Sequence, residues 1–110
     1  MKKLSLMFDR EDLKLTKELQ EKTSQEITCM VIKNIVLSHA AATRGLNEEE
    51  RRLFYKICDV FDKAIEGKAE EVELEDNYFG FIKKCKRETS LMPDKILQAV
   101  EKLIDEVKDR

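Results

Sequence analysis

Tryptophan is absent, proline occurs once, histidine once and glycine three times. So little glycine and proline excludes a collagen-like chain and argues against a turn-rich all-β one. Neither sign of charge is in excess: 21 Lys+Arg against 23 Asp+Glu give −2, so no global positive field draws the chain to nucleic acid or anionic lipid. Long apolar runs are also missing. The most apolar stretch, 27–42, is broken by Lys33, Asn34, Ser38 and His39. It is too short and too polar to span a bilayer core of about 30 Å. The opening Met1–Asp9 stretch has the two lysines of a secretory signal, but its apolar part stops at Asp9. Three cysteines, an odd number, suit a reducing compartment better than a disulfide framework. A soluble, cytoplasmic protein without membrane association is expected.

What is present is a chain of 110 residues, 42% apolar and 40% charged. That is enough for one domain with its own core and too apolar for global disorder. Its periodicity predicts a mostly α, four-helix bundle-like domain over 1–110, with an N-terminal extended or hairpin element (1–26) and a helical core (27–110). In the first part, Leu4, Leu6 and Phe8, then Leu13 and Leu15, alternate with polar residues. This predicts a hairpin turning at 9–12 that must lie on the helices, because a lone hairpin is marginal in water. The competing reading is an amphipathic helix over 9–21 using Leu13 and Leu19.

Four helices follow. The first begins near Ile27, with Thr23 or Thr28 as cap, and Gly45 ends it by the usual left-handed geometry. Its apolar arc, which includes Met30, Val31, Ile35, Val36, Leu37 and Ala40, is wide enough for a helix central to its bundle or placed in an oligomer interface. The second opens on Asn47 with Glu50 three residues on, a capping-box variant, and Gly67 stops it. An acidic connector, 68–76, holds one positive and five negative charges. The alternation of Val72 and Leu74 with glutamates predicts a short extended segment there. The third helix, 76–89, points Tyr78, Phe79, Ile82 and Cys85 inward, and Phe81, rotated about 100° from its neighbours, either turns outward as a partner contact or packs on a neighbouring helix. Gly80 inside it suggests close packing on another backbone. Pro93 suits the first turn of the final helix, whose stripe runs from Ile96 to Val107.

The reactive residues do not assemble into a known chemistry. Cys29, Cys58, Cys85 and His39 form a Cys₃His set, but the cysteines lie nearly thirty residues apart on helical apolar faces, unlike paired zinc ligands. Cys29 and His39 are about 15 Å apart along one helix, too far for a nucleophile–base pair. There is no phosphate-cradling glycine loop, GxSxG or HExxH. No catalytic residue, metal or cofactor is therefore assigned. The one basic cluster, Lys83, Lys84, Lys86 and Arg87, gives +3 over 78–90. It is the alternative candidate, for nucleic acid, although the final helix is as acidic as it is basic and a recognition helix should be basic. Cations in a helix's last turn also simply offset its dipole.

The order Glu26-Ile27-Thr28…Ile35-Val36-Leu37, then Leu46-Asn47-Glu48-Glu49-Glu50-Arg51 opening a helix through Ile57…Ala64, then Val72-Glu73-Leu74-Glu75-Asp76, resembles small helical proteins encoded by tailed bacteriophages and prophages. The resemblance spans about 26–104 and implies a setting, a bacterial cytosol, without an activity. The final helix here lacks the glycine that precedes it in that group, and no functional residue carries over. The expectation is a non-enzymatic protein–protein interaction or assembly module, a homodimer. Its interface would use Met30, Val31, Ile35, Val36, Leu37 and Phe81, with an N-terminal strand available to pair between subunits.

Overall fold

A computed structural model describes residues 1–11 and 13–107. The elements are β1 (Lys2–Ser5), α1 (Lys17–Gln20), α2 (Ser24–Ala42), α3 (Glu48–Glu66), β2 (Glu71–Leu74), α4 (Asp76–Glu88) and α5 (Lys95–Asp105). The fold is mostly helical, as the periodicity predicts. Its Cα radius of gyration, 13.5 Å, matches the value of about 13 Å for a compact chain of this length.

Helix starts follow the local chemistry. The Thr23 hydroxyl accepts from Glu26 N–H while the Glu26 carboxylate accepts from Thr23 N–H, a complete capping box. Those bonds hold the Glu26 carboxyl below its ordinary range. Asn47 and Glu50 repeat the arrangement at α3. Asp94 caps α5 by accepting from Leu97 N–H at 2.7 Å, so Pro93 stands before the cap and not in the first turn.

The expected N-terminal hairpin is corrected. β1 is a strand, but its partner is β2, antiparallel, with Leu4 opposite Val72 and Lys3 opposite Glu73. Residue 12 of the expected turn lies outside the described residues, segment 13–16 has no regular structure, and among the described residues of 9–21 the helix is the single turn α1. Two period-two segments far apart in sequence therefore complete each other. Leu4, Leu6, Val72 and Leu74 face the core, and Lys3, Ser5, Glu71 and Glu73 face away from it. This pairing satisfies the acidic strand on one edge with a basic one.

α2 is the central element and packs against α3, α4 and α5. Ile32, Ile35 and Val36 of α2 meet Ile57 and Phe61 of α3, Ile82 of α4 and Val100 and Ile104 of α5 in one core. The breadth of α2's apolar arc is thus largely accounted for inside a single subunit. α4 likewise buries two adjacent faces, because it contacts both α2 and α3. Phe79 and Phe81 are both buried, which overturns the outward placement of Phe81 in favour of its packing in the core.

Candidate functional site

Of the six residues expected at an interface, the structure buries three. Ile35, Val36 and Phe81 are 1%, 0% and 6% exposed and belong to the core, with Ile35 also lining the hollow described next. Met30 and Val31 are half-buried, and Leu37 stands 50% exposed. Met30, Asn34, Leu37 and Ala41 fall at spacings of three and four, so they form the outward stripe of α2.

Met30 and Val31 open onto a hollow of about 230 Å³ that sequence reasoning missed. Leu19 of α1 and Leu91 of the α4–α5 connector close two sides, and Ile96 and Leu97 of α5 form the wall opposite α2. Met92 stands on the rim, 86% exposed, the most exposed of the large apolar side chains described. One signal in the sequence marked it: an apolar pair, Leu91-Met92, set between Ser90 and Pro93 where a connector is ordinarily polar. Asp94 is the charged residue among those lining the hollow, and its carboxylate is engaged as the α5 cap. A larger trough, about 860 Å³, runs between Met7, Phe8, Asp9 and Leu13 on one side and α5 on the other, but half of its lining residues are charged.

The basic cluster does not present one face. Lys86 Nζ lies 2.7 Å from Asp105 and 4.0 Å from Glu101, on α5. Lys84 lies 3.8 Å from Glu50 of α3, and Lys83 sits over the Phe79 ring, 5.7 Å from its centroid. Arg87 is exposed. The run is therefore used to link α4 to its neighbours and to close the negative end of the helix.

The thiols are shielded. Burial pushes Cys29 up to about 12, with the Lys33 ammonium opposing and the Asp62 carboxylate and Cys58 adding. Cys85 is pushed up to about 11, again chiefly by burial, with Glu50 adding. Cys58, half-buried, is raised for the same first reason. Nucleophilic thiol chemistry needs the opposite shift. His39 is 4% exposed, its Nδ1 without a hydrogen-bond partner and 4.0 Å from a Glu88 carboxylate oxygen. Among the described residues no three His, Cys, Asp or Glu side chains are placed to hold a metal ion, and no helix is long and apolar enough to cross a membrane.

The hollow between α2 and α5 is accordingly the best-formed candidate site, and its chemistry is apolar contact. No family model, curated protein or solved structure matches the chain.

Proposed function

We propose that the protein acts by contact and not by catalysis, as a small self-associating module of a bacteriophage or prophage, working in the cytoplasm. Two copies pair through the face formed by the outward stripe of α2, the connector and α5. The observation that carries this reading is the contrast in charge. The chain is 40% charged, yet ten residues line the hollow and Asp94 alone among them is charged. Depletion of charge from a patch's centre, more than its overall greasiness, marks protein interfaces.

A second copy is the occupant the shape favours. A two-fold pairing needs one self-complementary patch. Here a projecting methionine stands beside a hollow on the same face, so the two-fold seats each Met92 in the other copy's hollow. A thioether side chain adapts to such an irregular space. The volume suits a side chain better than a metabolite, since small-molecule sites run to about 300–1,000 Å³.

Sedimentation equilibrium from low to high micromolar concentration tests the pairing. We expect a monomer–dimer equilibrium. Met30→Asp or Met92→Asp should weaken it at least about tenfold, or 1.4 kcal/mol, with unchanged circular dichroism. Lys102→Glu, in the charged trough, should leave it unaltered. A wild-type chain that stays monomeric across that range overturns the homodimer.

A further inference from the structure

We propose that Met92 is an oxidation site whose sulfoxide holds the chain in its unpaired form, an inference that rests on the pairing proposed above. Two of the four methionines, Met30 and Met92, line the same hollow. Met92 is 86% exposed, whereas Met30 is half-buried and Met7 is 40% exposed. The thiols, the usual first targets of peroxide, are withdrawn: Cys29 and Cys85 are buried, and Cys58 is partly so. Peroxide attacks the thiolate, and desolvation keeps these sulfurs protonated at neutral pH. A thioether carries no proton to lose, so its exposure sets its rate.

The step balances with hydrogen peroxide as oxidant. The Met92 Sδ lone pair attacks one peroxide oxygen, the O–O bond breaks, an S–O bond forms and water leaves. Sulfur loses two electrons and peroxide gains them. The product is a polar side chain that must be desolvated to enter an apolar hollow. In the pair, Met92 is covered, so oxidation captures the free chain and drains the equilibrium towards it.

The test is a hydrogen peroxide time course on the full chain at low and high micromolar concentration, read by peptide mass mapping and by sedimentation of the same samples. Met92 sulfoxide should appear before that of Met7 or Met30 and before any cysteine oxidation. It should form several-fold more slowly at the high concentration. Its appearance should weaken pairing at least about tenfold. Met92→Leu should pair and stay paired under peroxide, although Met1 and Met7 still oxidise. Cysteine oxidation ahead of Met92 overturns the site assignment. Met92 sulfoxide with pairing intact overturns the switch and leaves the homodimer standing. A wild type that never pairs overturns the homodimer and the switch together, while the mapped order of oxidation still decides the site.

Discussion

One hydroxyl fastens the N-terminal strand to the central helix. Thr28 is fully buried on α2, and its Oγ1 donates to the Leu6 carbonyl at 3.0 Å, just past β1. The sequence offered Thr28 as a cap, a reading that Thr23 takes instead. A threonine in an apolar helical face needs a buried partner, and which one it finds depends on where β1 lies. Replacing Thr28 with valine keeps the shape and leaves the Leu6 carbonyl unpaired in the interior. We expect a loss of about 1–2 kcal/mol, read as a lower urea midpoint with an unchanged slope. Arg10 fastens the next stretch, its guanidinium donating to the carbonyls of Leu19 in α1 at 3.1 Å and of Lys22 just beyond it at 2.8 Å. Nothing in the spacing of residues announced that clamp, because an arginine reaching carbonyls nine and twelve residues away leaves no periodic trace.

Among the elements, α3 was the most legible at both ends. Asn47 with Glu50 reads directly as a capping box because cap and partner are three residues apart. Gly67 stops α3 as its C-cap, as expected, but a left-handed residue also stands one position to the side of Gly45 and of Gly67. At the end of α2 the left-handed turn begins at Arg44, φ 62°, with Gly45 next at 112° and its N–H bonded to Ala40 O. At the end of α3, Gly67 keeps φ −84° and Lys68 takes the left-handed turn at 54°, with Ala69 N–H bonded to Ala64 O. Both ends are the same six-to-one closure with a basic residue in the strained place. Gly80 is where the reading failed. It is exposed within α4, and a Cβ added there meets nothing within 4 Å, so no neighbouring backbone requires it. Gly80→Ala should therefore stabilise the protein by about 0.5–1 kcal/mol, seen as a higher melting temperature.

For the whole molecule, the cysteines couple stability to alkaline pH. Their folded-state pKa values are raised, so an unfolded chain loses thiol protons near pH 9 while the folded one holds them towards 11 and 12. The stability they contribute is complete below about pH 9 and declines as pH rises from there. Urea midpoints measured from pH 8 to 10.5 should fall, and more shallowly in Cys29→Val than in the wild type. The helical core was legible at this scale because 3.6-residue periodicity is local. The sheet was half legible: Leu4 and Leu6, and Val72 and Leu74, each declared a strand, but alternation says nothing about which strand answers which. The interface expectation erred for a related reason. A broad apolar arc on α2 is the same in sequence whether other helices of the chain cover it or a second copy does, and here α3, α4 and α5 cover Ile35 and Val36.

The distance along the chain between β1 and β2 also fixes an order of events on the ribosome. Lys2–Ser5 leaves the exit tunnel long before Glu71–Leu74 has been translated. Through that interval Leu4 and Leu6 have no cognate edge to join, while α2 and α3 can already wind up behind them. The segment made early is therefore among the last to dock, and nascent chains halted before Leu74 emerges should leave residues 2–6 unprotected and protease-sensitive.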